Sequence, residues 1–372
     1  MRFINKNICE EYFFCRFHKY VQFYPYLYPE LKQASKMRIG ILTSGGDCPG
    51  INATIRGVSK TAINHYGMEV YGIRSGYRGL IDDDIHELTS QELSGLLNLG
   101  GTILGTSREK PFKKKGAPGG EDKAAAMLAT IERQKLDCIV AIGGNGTQKT
   151  AAKLAAAGVN VVGVPKTIDN DIWGTDLTFG FDTAVKIATD AIDRLHSTAS
   201  SHNRVMVVEV MGHKAGWLAL HSGMAGGGDI ILIPEFPYNI HNIGDAVINR
   251  LKQGKPYSIV VVAEGIQTLG GKTAGQFITE EIEYETGFET RETVLGYVQR
   301  GGTPTAFDRN LATQMGGYAT QMIAEGQFGR MVSWQGNKVT SVPLEEVSGK
   351  LKLVTEDCDL VIQGRRMGIC FG

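Results

Sequence analysis

Arg38-Ile39-Gly40-Ile41-Leu42 running into Thr43-Ser44-Gly45-Gly46-Asp47-Cys48-Pro49-Gly50 is the stretch on which the fold turns. The short apolar run reads as a buried strand, the Gly/Pro cluster as a loop, and a helical pattern starts at about Ile51. The same device occurs twice more. Residues 137–142 run into Gly143-Gly144-Asn145-Gly146-Thr147, and residues 160–164 into Pro165-Lys166-Thr167-Ile168-Asp169-Asn170-Asp171. In an open parallel sheet, ligands bind beyond the carboxyl ends of the strands. If these strands are parallel neighbours, all three loops share one edge.

Further apolar runs at 70–73, 205–210, 230–233 and 258–263 read as strands. Amphipathic stretches lie between them. One covers 121–135, opening with Glu121 and Asp122 and closing with Arg133 and Lys135, the charge order that suits a helix dipole. Continuous apolar strands alternating with helices argue for α/β architecture with parallel sheets covered on both faces. Strands on both sides of about residue 180 suggest two such units.

The chain has 372 residues, 42% hydrophobic and 21% charged, which suits a soluble globular protein of two domains or one large α/β unit. Lys plus Arg is 39 and Asp plus Glu is 39. That balance argues against a dedicated nucleic-acid or membrane-surface binder. No apolar run reaches the roughly 18 residues needed to span a bilayer. The cysteines at 9, 15, 48, 138, 358 and 370 form no C-x-x-C pair, so reduced thiols in a cytoplasmic protein are expected.

Residues 1–36 read differently. They are dense in aromatics, among them Phe13, Phe14, Tyr24 and Tyr26, with no clean period and no continuous apolar core of a signal peptide. The expectation is that the domain begins at Met37 and that the leader is a start-site artefact or a poorly ordered extension, with an aromatic docking segment as the alternative.

Two of the three loops are glycine-rich and precede helix N-termini. Free backbone N–H groups and the helix dipole favour anions there, and missing side chains let a phosphate approach. Neither loop matches the G-x-x-x-x-G-K-[ST] or G-x-G-x-x-G pattern. Tight turns alone also call for glycine. The third loop carries Asp169 and Asp171, two apart. Phosphoryl transfer to a hydroxyl needs a base for its proton and neutralisation of phosphate charge. An Asx-turn cluster would place the same residues. Arg108, Arg204, Arg291 and Arg300 follow or flank polar and glycine-bearing loops, and guanidinium groups grip phosphate bidentately.

From Met37 almost to the C-terminus the chain resembles the bacterial-type 6-phosphofructokinase family. The motifs occur in order: ILTSGGDCPGINATIRG at 41–57, GGTILGTSR at 100–108, AIGGNGT at 141–147, VPKTIDNDI at 164–172, SSHNRVMVVEVMGHKAG at 200–216, AEG at 263–265, ETRETVLGYVQRGG at 289–302 and FDR at 307–309. The resemblance implies two similar three-layer α/β domains with mainly parallel sheets and the active site between them. It implies a nucleotide-binding domain of 37–180 plus about 299–348. The fructose 6-phosphate domain is then 181–298 plus about 349–372. It further implies phosphoryl transfer from ATP to the 1-hydroxyl of fructose 6-phosphate, with Mg²⁺, in a homotetramer or homodimer.

Carried over by position, Gly46, Arg108, Glu109, Gly144, Asn145, Gly146 and Thr147 match nucleotide-binding positions. Asp169 matches the proton acceptor, with Asp171, Arg108 and Thr167 beside it in the catalytic group. Thr167, Ile168, Asp169, Met211, Gly212, His213, Glu264, Tyr297, Val298, Gln299 and Arg300 match sugar-phosphate positions. Arg204 and Arg291 match arginines supplied across a subunit interface to the 6-phosphate.

Some positions depart from the family pattern. Asn145 stands where a carboxylate near Mg²⁺ is usual; its amide oxygen is still a hard donor but brings no charge, leaving Asp47 and Asp171 as acidic candidates. Gly146 matches ATP users, whereas pyrophosphate users place aspartate there. Lys166 matches pyrophosphate users. The pair resembles a mixed subgroup of ATP users, so ATP is the expected donor and pyrophosphate the alternative. Arg56 and Lys60 match two basic effector-site positions, but Ser90 and His196 fall where arginines are expected, and Pro256-Tyr257 replaces a basic pair after Lys255. Reduced or absent effector control is the expectation. Lipid and NAD kinases share the G-G-[DN]-G-T loop but lack the P-K-T-I-D-N-D and E-T-R…Q-R-G-G segments, and the missing G-x-G-x-x-G disfavours a dinucleotide oxidoreductase. A non-catalytic sugar-phosphate regulator is a rival of another class.

Overall fold

Ile39, Ile41 and Leu42 are fully buried, and the strand they form, β1 (Arg38–Ser44), lies inside a seven-stranded sheet of the computed structural model. Residues 36–112 and 123–372 are described. The expectations for the leader therefore lie outside the described residues, as do Glu121 and Asp122. The sheet runs in the order β11 (Lys338–Pro343), β10 (Arg330–Gln335), β5 (Val161–Pro165), β4 (Cys138–Gly143), β1, β2 (Glu69–Ile73), β3 (Ile85–Glu87). The five inner strands are parallel, and β3 and β11 pair antiparallel at the edges.

Alternation along the strands explains why helices cover both faces. Leu42, Ile139, Ala141 and Val161 share one cluster with Tyr77, Leu80, Met127 and Leu154, which come from the helices Tyr77–Asp82, Ala124–Arg133 and Asn145–Ala156. Ile41, Val140, Val162 and Val164 lie between them in sequence and point the other way. The helix Ala306–Ala324 contacts β5 and β10 and packs closely on Ile51–Tyr66. A Cβ at Gly57 would lie 2.8 Å from the Thr313 carbonyl oxygen, so these two helices meet backbone to backbone. Each buried Ile, Leu or Val contributes about 1.5–3 kcal/mol.

A second, all-parallel sheet runs β7 (Ile230–Leu232), β8 (Ser258–Ala263), β6 (Val205–Val210), β9 (Thr290–Val294). The chain leaves the first sheet after β5, builds the second, and returns through Ala306–Ala324 to β10 and β11. It then bridges Leu351 to Ile172 and Cys370 to Ile230. Arg38–Gly372 holds both sheets in one unit.

The helix expected over 121–135 is shorter. It spans Ala124–Arg133 with no acidic residue in its first turn, so the dipole argument survives only at Arg133. Strands β3, β9, β10 and β11 lacked an apolar run to announce them. The residues of β9 are largely exposed. The β10–β11 hairpin closes through Gly336 and Asn337, both at positive φ (53° and 65°), the twist that suits a two-residue type I′ turn.

Candidate functional site

Ser44 pairs with Gly143, and Gly143 with Pro165, so the carboxyl ends of β1, β4 and β5 stand level. From β1 the chain moves through Ile51–Tyr66 to β2 on one side. From β4 it moves through Asn145–Ala156 to β5 on the other. That reversal is the switch point at which a parallel sheet opens a crevice.

The loops lock together there. Gly45, at φ 89°, donates its N–H to the Ser107 carbonyl at 3.0 Å, and Thr106 Oγ1 returns a bond to the Gly45 carbonyl at 2.7 Å. Thr147 Oγ1 donates to the Ser44 carbonyl at 3.2 Å. Lys166, almost fully buried, donates from Nζ to the Gly46 carbonyl, and burial holds its ammonium below the ordinary lysine range. Gln148 donates to the Gly143 and Val164 carbonyls at 2.8 and 3.0 Å, tying β4 to β5 behind the pocket.

The crevice encloses about 610 Å³. All three loops line it, contributing Gly46 and Asp47, then Gly144, Asn145, Gly146 and Thr147, then Lys166, Thr167, Ile168, Asp169 and Asp171. Arg108, Glu109, His213 and Arg300 stand in the same wall. A Cβ at Gly46 would lie 3.0 Å from Arg300 Nη1, so glycine there admits the guanidinium. A Cβ at Gly146 would meet nothing within 4 Å, which leaves open space over the helix start.

Asp169 is the most distinctive group in the pocket. Thr167 Oγ1 donates to its Oδ2 at 3.1 Å and accepts from its backbone N–H at 3.1 Å. Its Oδ1 is buried without a hydrogen-bond partner. Burial raises its proton affinity; the Thr167 bond opposes this, Glu264 adds to it, and Arg300 and His213 oppose it. Asp171, buried beside it, is pushed up to about 7 by desolvation and then by the charge of Asp169. Asn145 Nδ2 donates to Asp171 Oδ2 at 2.8 Å, while Asn145 Oδ1 is buried and unpartnered.

Those orphaned and acidic oxygens form a hard, oxygen-only donor set that fits Mg²⁺. Among the described residues no three His, Cys, Asp or Glu side chains gather into a metal-holding group. The protein would thus supply one or two ligands and leave the rest to water and phosphate, as Mg²⁺ sites commonly do.

The other expected residues divide into two sets. Glu264 Oε1 accepts from the His213 N–H at 2.8 Å and so holds His213 at the pocket. Gln299 is buried, accepting from the Met211 N–H at 3.4 Å, and Gly212 follows at φ 145°. Tyr297 and Val298 are exposed, with the Arg300 guanidinium 5.2 Å from the Tyr297 ring. Arg204 and Arg291 do not line this chain's pocket; both pair with Glu289 instead, Arg204 at 2.7 Å. Glu109 lines the pocket but faces Arg78 and Lys123 at 3.8 and 3.7 Å. At the effector-like positions His196 meets the Tyr257 hydroxyl at 3.2 Å and the Gly226 carbonyl at 2.7 Å.

Sequence reasoning missed Tyr77, Phe112, Lys149, Thr150, Lys153 and Leu351, which also line the cavity. Gly146, Lys149, Thr150 and Lys153 fall at i, i+3, i+4 and i+7, one face of the helix that the second glycine loop starts. That spacing was the available signal. Tyr77, whose hydroxyl donates to the Thr147 carbonyl at 3.0 Å, gave none.

A family model described as Phosphofructokinase matches residues 38–323. A relative named ATP-dependent 6-phosphofructokinase 3, from Bacteroides thetaiotaomicron, is 75% identical over 336 residues, covering 90% of this chain and 100% of its own. A relative named Pyrophosphate--fructose 6-phosphate 1-phosphotransferase, from Amycolatopsis methanolica, is 48% identical over 86% of this chain and 96% of its own. The crystal structure of Pichia pastoris phosphofructokinase in the T-state matches with a TM-score of 0.77 at 35% identity, over 86% of this chain and 37% of that longer one. The chain belongs to the phosphofructokinase family.

Proposed function

We propose that the protein is an ATP-dependent 6-phosphofructokinase that converts fructose 6-phosphate and ATP to fructose 1,6-bisphosphate and ADP. The observation that carries this reading is Asp169. It is a carboxylate whose Oδ1 is buried and without a hydrogen-bond partner, in a cavity shared with two glycine loops.

Asp169 Oδ1 takes the proton of the sugar's 1-hydroxyl as that oxygen attacks the γ-phosphorus and the bond to ADP breaks. Its raised proton affinity suits a general base. Thr167 occupies the other oxygen and fixes the carboxylate plane. Backbone N–H groups at Gly46 and Gly144–Gly146, with Thr147 beside them, cradle the nucleotide phosphates, and Arg108 neutralises the transferring group. Thr167, Ile168, His213 and Arg300 receive the sugar phosphate, with Met211, Gly212, Glu264, Tyr297, Val298 and Gln299 shaping that side. Arg204 and Arg291 would grip the 6-phosphate of a neighbouring subunit's substrate in a homo-oligomer. Asn145 and Asp171 would hold Mg²⁺. When bound, the ion supplies charge neutralisation on the phosphates. Each sheet is taken as the core of one domain, 37–180 plus about 299–348 and 181–298 plus about 349–372, and the enzyme as cytoplasmic.

ATP is favoured over pyrophosphate because Gly146 leaves the helix start open, where an aspartate would oppose the nucleotide. The name of the 75% identical relative agrees. Lys166, which could favour pyrophosphate, is engaged by Gly46. The test supplies purified protein with fructose 6-phosphate and either ATP, GTP or pyrophosphate, and measures fructose 1,6-bisphosphate. Turnover with ATP is expected. Turnover with pyrophosphate alone overturns the donor; turnover with none overturns the activity and leaves a sugar-phosphate-binding protein.

A further inference from the structure

We infer that Lys352 is a positioning residue for this site, clasping from behind the turn that starts at Asp171, two residues after Asp169. The inference rests on the proposed activity.

After β11 the chain passes behind the acidic loop. Leu351 bridges Ile172 antiparallel and lines the cavity, while Lys352 is not among the lining residues. The Lys352 N–H donates to the Asp171 carbonyl at 2.9 Å, and its Nζ donates to the Asp176 carbonyl at 2.7 Å. One residue thus holds both ends of the turn from 171 to 176. On its other side the Lys352 carbonyl accepts from Trp217 Nε1 at 2.9 Å, and its ammonium stands 5.3 Å from the Trp217 ring centre. Trp217 opens the helix Trp217–Ala225, which packs on β7 and β8. The lysine therefore fastens the acidic loop, which follows the first sheet, to a helix of the second.

The consequence runs through two short links. Asp171 is bonded to Asn145 in the second glycine loop, and Asp169 lies two residues before it. Slack in the 171–176 turn would shift the base relative to the nucleotide loop, and an error near 1 Å in reacting geometry costs about a hundredfold in rate.

Lys352→Met keeps the stem against Trp217 and removes the donor; Lys352→Arg keeps a charged donor. Turnover is measured with ATP and fructose 6-phosphate. Binding of each substrate is measured separately by calorimetry, using a non-hydrolysable ATP analogue. Expected are a kcat lower by about tenfold or more in Lys352→Met, affinities within about threefold of the parent, and recovery of most of the rate in Lys352→Arg. An unchanged kcat in Lys352→Met, a loss of binding in step with rate, or an arginine variant as poor as the methionine one each overturns the inference. If Lys352→Met does not fold, Lys352→Leu, which also lacks a donor, is read by the same criteria. An active parent with an equally active variant defeats only this inference, whereas a parent inactive with ATP defeats the functional reading and this inference together.

Discussion

Asn145 and Asp171 join the second glycine loop to the acidic loop by a single bond of 2.8 Å, with the amide as donor and the carboxylate as acceptor. The pairing needs an amide. A carboxylate at 145 would face Asp171 at that distance with no proton between them, and like charges so close cannot both ionise without a cation. Asn145→Asp is therefore expected to lower the thermal midpoint by several degrees at pH 8 in EDTA, about 2–4 °C for each kcal/mol lost, and to regain it on adding Mg²⁺. The parent should show a smaller Mg²⁺ response. Scans that coincide with and without Mg²⁺ in the variant would show that residue 145 does not face the cation.

Gly143 and Gly146 lie three residues apart and should behave oppositely. A Cβ at 143 would lie 2.2 Å from Thr147 Oγ1 and 2.7 Å from the Ser44 carbonyl oxygen. Gly143→Ala must displace one of these and is expected to cost about 1–3 kcal/mol in urea unfolding. Gly146→Ala meets open space and sits in the first turn of a helix, so it should leave stability equal or slightly raised. Equal midpoints for the two variants would contradict the packing described.

Asp308 offers a pH signature away from the pocket. It is fully buried, accepting from Thr183 N–H at 2.8 Å and Thr183 Oγ1 at 2.6 Å, where the helices Phe181–His202 and Ala306–Ala324 begin together. Desolvation raises it from 3.8 to about 6. Between those values the folded protein holds a proton that the unfolded chain has released. The contribution of Asp308 is thus fully present below the unfolded value and lost as pH rises through about 6. Asp308→Asn cannot titrate. Its thermal midpoint relative to the parent should therefore climb from pH 4 to pH 7. A difference that stays flat over that range would mean that Asp308 is not buried as described.

The pocket was legible because its chemistry is local. Three strands each delivered a loop of small or acidic residues, and parallel pairing alone brought Gly46, Gly144 and Asp169 to one edge. What escaped was contributed from afar or lacked a pattern. Tyr77 reaches the Thr147 carbonyl across a sequence gap of 70, and Leu351 arrives from the C-terminal segment; neither neighbourhood carries a motif. Strand β9, mostly exposed, has no apolar alternation to reveal it. The hairpin of β10 and β11 was signalled only by Gly336-Asn337, a turn cue weaker than the apolar runs elsewhere. Arg204 and Arg291 were legible as cations, but both pair with Glu289 and neither lines the pocket.

The sharpest measurement removes only the proposed proton acceptor. Asp169→Asn keeps the size of the side chain and an acceptor for Thr167 while abolishing the carboxylate. Turnover of fructose 6-phosphate with ATP should fall by about a thousandfold, within the range that a general base supplies, while calorimetry finds fructose 6-phosphate binding within about threefold of the parent. A variant that keeps most of its turnover would place the base elsewhere and remove Asp169 from the chemistry.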